Sequence, residues 1–414
     1  LFETVQSDRP GGGPVAARRA PGRADVGSAC IVGGGRRVGI LPTGGVPGPR
    51  GAVRRGAWAR VRDIRRRLAF GPGAMVGPTK AGVPERIRDT GSIAPAGRGP
   101  SRETGMILCA GEALIDMLPR AGADGAPCLR PAPGGAVFNT AVALGRLGAP
   151  AALFAGLSRD LFGRQLEAAL AAAGVSTDLA ARSDRPTTLA FVDLTEGQAR
   201  YTFYDAATAG RLLATEDLPG DAALAPVTAL FMGGISLMAE PCGATLHVLM
   251  MRAAPGRVTM LDPNIRPGFI ADEATYTARI EAMIAMSDIL KVSDEDLAWL
   301  LGPGDTTDHA RALLARGPSL VCVTEGARGA VAHHASGHLH VAAPPARVVD
   351  TVGAGDTFNA GLLAGLHAAG ALSTEALAAP DEDVLEAALT LGVRAAALCV
   401  ARAGADPPWR RELA

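Results

Sequence analysis

The sequence predicts an α/β protein with a mostly parallel central sheet and a small separate β-sheet, on three observations. Short apolar runs of buried-strand type recur from Ile107 onward and are followed by segments of helical pattern, the alternation that builds parallel sheets. Thr188–Leu194 and Arg200–Tyr204 instead alternate around Thr195-Glu196-Gly197 with no helix between them, so they form a hairpin outside such a sheet. Finally, Val348 to Gly361 runs from β-branched residues through a turn of small residues into a long Ala/Leu/Gly helix that continues to about Ala369.

The pattern begins only at Met106. The 414 residues are 48% hydrophobic and 20% charged with zero formal net charge, enough for one large domain or two ordinary ones. That neutrality hides an asymmetry. Residues 1–105 hold 18 Arg and one Lys against seven acids, and residues 106–414 hold 22 bases against 34 acids. The first stretch is rich in Gly, Pro, Ala and Arg without a sustained apolar period, so it is expected to be a disordered extension. Within it, Val53–Phe70 has the pattern of a basic helix, and organelle targeting or RNA binding is the functional alternative. A chain beginning with Leu, ahead of the clean strand pattern at Met106, also reads as a start placed too far upstream.

Cys30, Cys109, Cys128, Cys242, Cys322 and Cys399 show no C-x-x-C spacing, which speaks for a reducing, cytoplasmic setting and against a disulfide framework or zinc ribbon. No signal peptide is visible at Leu-Phe-Glu-Thr. Two uncharged runs, Ala222–Ala239 and Thr357–Thr374, are interrupted by Pro226, Gly233-Gly234, Asn359 and His367; they read as buried α/β core, with no membrane span. The acidic 106–414 segment gives no reason to expect a nucleic-acid partner.

In order, Ile107–Leu114 is a buried strand, followed by Ile115-Asp116-Met117 and a Gly/Pro-rich loop to Gly135. Asp116 lies at the strand edge where α/β sheets bind ligands, or it is a turn residue. Gly134-Gly135 expose amides ahead of a helix Thr140–Leu147, and Asn139 can both donate to and accept from a polyol. A strand Ala151–Ala155 and a helix Asp160–Ala173 stopped by Gly174 follow. Then come the strand Val227–Met232, a helix near Cys242–Ala254, and the strand Val258–Leu261. If extended, Asp262, Asn264 and Arg266 beyond it project one way; a surface turn is the alternative. Asp288–Val292 leads into Ser293-Asp294-Glu295-Asp296, a good N-cap and first turn. Leu320–Val323 precedes Thr324 to Gly329. His333, His334, His338 and His340 flank a turn at Gly337 with no Cys or acid beside them, and strand alternation splits them between faces, so a solvated hairpin is preferred over a zinc site. A last helix spans about Asp381 to Arg402.

The chemistry concentrates at Asp350-Thr351-Val352-Gly353-Ala354-Gly355-Asp356. A turn this small leaves the amides of Gly353, Ala354 and Gly355 open at a helix start, an anion site. Asp356 beside it is a proton acceptor next to a phosphate cradle, which implies phosphoryl transfer; complementing the helix dipole is the plain alternative. There is no Gly-x-x-x-x-Gly-Lys-Ser/Thr, and Lys291 is the only lysine after residue 105. Phosphate charge is therefore expected to be met by amides, Mg²⁺ and arginine.

The string around Asp356 resembles the C-terminal signature of the ribokinase-like PfkB carbohydrate kinases, and Gly134-Gly135-Ala136-Val137-Phe138-Asn139 resembles their N-terminal sugar-binding signature. The resemblance covers about Met106 to Ala405. It implies a ribokinase-like three-layer sandwich with a β-sheet lid from about 114–133 and 186–205, a sugar and ATP as ligands, Mg²⁺ as cofactor, and a homodimer through the lid. It further implies that Asp356 is the catalytic base over the anion hole of Gly353, Ala354 and Gly355. Asp116, Gly134, Gly135, Asn139 and Arg266 would hold the sugar, with Tyr201, Phe203 and Tyr204 as lid walls or lid core. Thr324, Gly326, Gly329 and Asn359 would hold the nucleotide, and the last helix would close its adenine side. Where relatives carry Asn-x-x-Glu this chain has Ser293 and Asp296, so metal contacts are expected to be looser or water-mediated. Asp262-Pro263-Asn264-Ile265-Arg266 and Lys291–Leu297 resemble the fructokinase branch, which implies fructose phosphorylated at its 6-position. 2-Keto-3-deoxygluconate kinase is the second expectation, and a non-catalytic sugar sensor is the alternative of another class.

Overall fold

The computed structural model describes residues 105–195 and 198–414; the expectations for residues 1–104, the Val53–Phe70 helix included, and for the Glu196-Gly197 turn lie outside the described residues. The first half runs β1 Met106–Ala110, β2 Leu114–Ala121, β3 Pro127–Gly134, α1 Ala136–Arg146, β4 Ala151–Phe154, β5 Gly156–Ser158, α2 Leu161–Ala172, β6 Ala181–Ser183, β7 Leu189–Thr195 and β8 Gln198–Tyr204. The second half runs β9 Val227–Gly233, α3 Cys242–Ala253, β10 Val258–Asp262, α4 Glu273–Met286, β11 Ile289–Ser293, α5 Asp294–Leu301, α6 Thr306–Leu314, β12 Leu320–Thr324, β13 Ala330–His334, β14 Gly337–Val341, α7 Ala354–Ala368, α8 Thr374–Ala378 and α9 Glu382–Val400.

The central sheet has eight strands in the order β14-β13-β12-β11-β10-β9-β1-β4. From β4 across to β12 all neighbours are parallel, and β13 and β14 are antiparallel additions. Both faces of the sheet are covered, which is why its strands are almost uninterrupted apolar runs. Alternation sorts them: Ile107, Cys109 and Phe231 pack into one core with α1, α7 and α9, while Leu108, Ala110 and Leu230 pack into the other with α3, α4 and α6. The result is the three-layer sandwich that the sequence predicts. On the first face α7 and α9 touch closely, since a Cβ on Gly361 would lie 2.5 Å from the Cα of Gly392.

The second sheet has the order β3-β2-β7-β8. The stretch after Met117, read from its Gly and Pro content as a loop to Gly135 and from the resemblance as part of a β-sheet lid, is strand: β2 and β3 form an antiparallel pair running from Leu114↔Gly134 to Ala121↔Pro127. The prolines that suggested a loop, Pro127, Pro131 and Pro133, sit on the edge strand β3, where a missing N–H costs no ladder bond on the outer side. β7 and β8 form the predicted hairpin, and β7 pairs with β2 through only Ile115–Met117.

Two boundaries move residues of interest. The single run 107–114 is broken by Gly111–Ala113, so β1 ends inside the sandwich and β2 departs into the small sheet. α1 starts at Ala136 rather than Thr140, which puts Asn139 in a first helical turn.

Candidate active site

Because β1, β9, β10, β11 and β12 are parallel, their C-terminal ends open on one edge, where the connections to the following helices gather and ligand crevices form. A cavity of about 390 Å³ lies there, between that edge and the small sheet.

Glu112, directly beyond β1, organises its floor. The carboxylate accepts from the amide of Ala136 at 2.9 Å and from the amide and Oγ of Ser236 at 3.2 and 2.7 Å. It thereby ties the start of α1 to the turn after β9. Burial raises its pKa above the ordinary value, opposed by these hydrogen bonds. A Cβ on Gly234 would come within 2.1 Å of Oε1, so Gly234 makes room for this side chain, whereas a Cβ on Gly233 would meet the carbonyl oxygen of Asp262 at 2.2 Å. None of this was visible as more than a strand end in the sequence.

The two helices on one face, α1 and α7, both aim their N-termini at the cavity. Gly353 is the N-cap of α7 with φ 79°, a left-handed conformation that suits glycine. Asp350 fixes the turn from outside, accepting from the amides of Val352 at 3.0 Å and Gly404 at 2.9 Å. The amides of Gly353, Gly355 and Asp356 donate to no protein acceptor among the described residues, whereas that of Ala354 reaches Thr351 O at 3.3 Å. The expected cradle of Gly353, Ala354 and Gly355 is thus corrected: the turn's own i to i+3 bond occupies the middle amide, and the open set is Gly353, Gly355 and Asp356.

Asp356 lies in the first turn of α7, 7% exposed. Its Oδ2 accepts from Nδ2 of Asn139 at 2.9 Å, and its carbonyl accepts from Oγ1 of Thr140 at 3.2 Å. These bonds join first turns that lie far apart in sequence. Burial pushes the Asp356 carboxyl up to about 7, assisted by Asp262 and Glu112 and opposed by Asn139 and Lys291. A carboxylate of that pKa beside open amides can take a proton at neutral pH.

Beneath the turn is a buried ion pair. Nζ of Lys291 on β11 donates to Oδ2 of Asp262 at 3.1 Å, and the same oxygen accepts from Nδ2 of Asn359 at 2.7 Å. Burial would strip the Lys291 proton, but Asp262, Asp296 and Asp356 outweigh it and hold the pKa above the ordinary value.

The other expected residues divide. Asp116, Gly135, Asn139 and Arg266 line the cavity with Asp356, and burial pushes Asp116 up to about 6. Gly134 does not line it; a Cβ there would meet Oδ2 of Asp116 at 2.1 Å, so this glycine makes room for that carboxylate. The expected common projection of Asp262, Asn264 and Arg266 fails because Asn264 has φ 43° and breaks the extended run. Asp262 turns inward to Lys291, and Asn264 and Arg266 remain at the cavity. Tyr201 and Phe203 share the cavity side of β8, while Tyr204, one residue on, faces away and packs edge-on against Phe191 at 5.1 Å, as strand alternation requires.

A second, more apolar cavity of about 610 Å³ adjoins the first through Thr324, Thr351, Ala354 and Gly355. Gly326 and Gly329 line it, as do Val393, Ala396 and Val400 of α9. Asn359 reaches neither cavity; its side chain is fully buried and bonded to Asp262, which removes it from the expected nucleotide contacts. Ser293 and Asp296 form a capping box, and Asp296 also accepts from the amide of Ile265 at 2.8 Å. Both Asp296 oxygens are thus in use. Among the described residues no group of three or more His, Cys, Asp or Glu converges as a metal cage.

A polar cavity and an apolar one, joined at a turn with open amides and a titratable carboxylate, are arranged for a polyol, an aromatic ring and a phosphate chain between them. The description "pfkB family carbohydrate kinase" belongs to the family model that matches residues 105–411. A fructokinase of Rhizobium leguminosarum bv. trifolii is 49% identical over 282 residues, 68% of this chain and 85% of the relative. A fructokinase of Salmonella typhimurium is 34% identical over 310 residues, 73% of this chain and 96% of the relative. Among solved structures, a Xylella fastidiosa fructokinase with bound ATP superposes with a TM-score of 0.67 at 29% identity, covering 73% of this chain and 94% of that one.

Proposed function

The chain belongs to the pfkB family of carbohydrate kinases, and we propose that it transfers the γ-phosphoryl group of ATP to D-fructose, giving fructose 6-phosphate and ADP. The observation that carries this reading is the position of Asp356, a buried carboxylate beside the open amides at the junction of the two cavities.

The polar cavity takes the sugar. Asp116 accepts from its hydroxyls, Asn139 and Arg266 supply donors, and the Gly135 backbone lies alongside; Tyr201 and Phe203 form a wall from the small sheet. The apolar cavity takes adenine between α9 and the Thr324–Gly329 turn. The phosphates then cross at the open amides of Gly353, Gly355 and Asp356, which meet the transferring group without reorganising. With Oδ2 held by Asn139, the other oxygen of Asp356 is free to take the hydroxyl proton as the sugar oxygen attacks the γ-phosphorus.

Mg²⁺ supplies charge neutralisation on the phosphates. The residues fit a cation that would be held mostly by phosphate and water: Glu295 lines the cavity with its carboxylate bonded to no partner among the described residues, and Asp296 is committed to its capping box. Two copies are inferred to pair through the small sheet, where Leu129 and Tyr204 are 45% and 63% exposed. No helix among the described residues is long and apolar enough to cross a membrane; a cytoplasmic location is supported by the free cysteines Cys109, Cys128, Cys242, Cys322 and Cys399 and by the use of ATP.

Coupled ADP release with fructose, 2-keto-3-deoxygluconate, ribose and adenosine tests the substrate. Fructose is expected to be preferred, with phosphorus–carbon coupling at C6 of the product; preference for the keto acid overturns the substrate while leaving the kinase in place. Asp356→Asn is expected to lower kcat by roughly 10²–10⁴-fold, the worth of a general base, with fructose binding retained. Near-full turnover in that variant overturns the assignment of the base.

A further inference from the structure

Resting on the phosphoryl-transfer reading above, we propose that Lys291 is a further catalytic residue: its ammonium binds the oxygens of the phosphoryl group in flight, beside the open amides of the Gly353–Gly355 turn. Lys291 is the only lysine in residues 106–414, and its side chain is 6% exposed. An ammonium has three N–H donors. Among the described residues only Oδ2 of Asp262 accepts from this one, which leaves two donors of a buried charge without a protein acceptor. Buried polar groups are otherwise almost always satisfied, so these two donors take their acceptor from the cavity that Lys291 lines.

The position specifies the ligand. Lys291 lines the same cavity as Asp356, Asn139 and Arg266. Its Nζ stands 3.1 Å from the point that a Cβ on Gly355 would occupy, next to amides that await an anion. Among the described residues, Lys291 and Arg266 are the only cationic side chains on this cavity, against the carboxylates of Glu112, Asp116, Glu295, Asp296 and Asp356. Arg266 is solvent-exposed and donates to its neighbour's carbonyl, Ile265 O. An ion pair with Asp262 alone would be a poor reason for a buried lysine, because desolvation consumes most of the attraction. Asp262 orients the ammonium, and Asn359 orients Asp262.

In the transfer, the sugar oxygen forms its bond to the γ-phosphorus and the bond from that phosphorus to the β,γ-bridging oxygen breaks. ADP leaves with the electron pair, and the hydroxyl proton passes to Asp356. Lys291 keeps its proton throughout and meets the charge spread over the equatorial oxygens.

Lys291→Met alone leaves Asp262 buried without its cation and is liable to misfold. The decisive variant is Asp262→Asn combined with Lys291→Met, which is neutral and keeps an acceptor for Asn359. It is expected to melt cooperatively, to hold KM for fructose and ATP within about threefold, and to lose roughly 10²–10³-fold in kcat, as when one oxyanion donor is removed. The fructose–ADP–aluminium fluoride complex, a mimic of the phosphoryl group in flight, is expected to weaken by a similar factor. A folded double variant with native kcat and native affinity for this mimic overturns the proposal.

The native chain provides a readout that needs no variant. It has two lysines, Lys80 and Lys291, so ¹⁵Nζ-lysine NMR of the full chain yields two signals. The Lys291 signal is expected to shift and exchange more slowly on adding fructose, ADP and aluminium fluoride, and not on adding fructose alone; an unchanged signal rejects the contact. Fructose-dependent ADP release by the native enzyme is measured first. Its absence refutes the kinase reading, and its presence with a silent Lys291 refutes only this proposal.

Discussion

As the proposed base, Asp356 would make catalysis and stability depend on pH in opposite senses. With its carboxyl pushed up to about 7 by burial, the proposed base is partly protonated at neutrality, and kcat/KM for fructose is expected to fall about tenfold per pH unit below that value. A pH–rate profile whose acid limb lies near the ordinary aspartate value would contradict the buried, coupled geometry. For stability, a carboxyl with a raised folded value holds its proton more tightly folded than unfolded. Its contribution is complete below about pH 4 and is lost as the pH rises through about 7. Asp356→Asn removes the charged form, so the variant's Tm advantage over the native chain is expected to open between about pH 4 and pH 7 and to stay constant above that. Thermal melts across that range check it, and a constant difference would show that the charge carries no folding cost.

At the scale of elements, the site is two helix starts clamped together, with Asn139 of α1 on Asp356 of α7. Asn139→Ala removes the bond that favours the ionised base. Its acid limb in kcat/KM is expected at higher pH than in the native enzyme, and an unmoved limb would mean that the clamp is absent during turnover. Gly353→Ala places a Cβ at φ 79°, 2.7 Å from the Cβ of Ala405. The strain costs about 1–2 kcal/mol, and displaced amides lower kcat by about 10²-fold, read by melts and steady-state kinetics together. The turn was legible in the sequence because its amides, its glycine and its acid are contiguous. The clamp was not, because 217 residues separate its partners and an asparagine in a glycine-led turn looks like a ligand for the sugar alone.

At the scale of the molecule, the family match spans 105–411 and both cores draw on residues from within that span and its last few neighbours. We expect a chain starting at Met106 to keep kcat and KM for fructose within about twofold of the full sequence, as a domain with its own core does. A loss of turnover with folding intact would give residues 1–105 a part in the reaction.

The alternation of strands and helices, the hairpin apart from them and the glycine turn with its acid were legible in the chain, because these depend on hydrophobic period and on residues adjacent to one another. Which acids face the cavity was settled by packing. Asp262 and Asn359 looked like site residues and are spent on one another and on Lys291, while Lys291, which stood out in the sequence as the one lysine after residue 105 and was given no part in the site, lines the cavity. The direction of a buried side chain follows from what packing brings against it from distant strands, and for a buried charge that choice is enforced by the cost of leaving it unpaired.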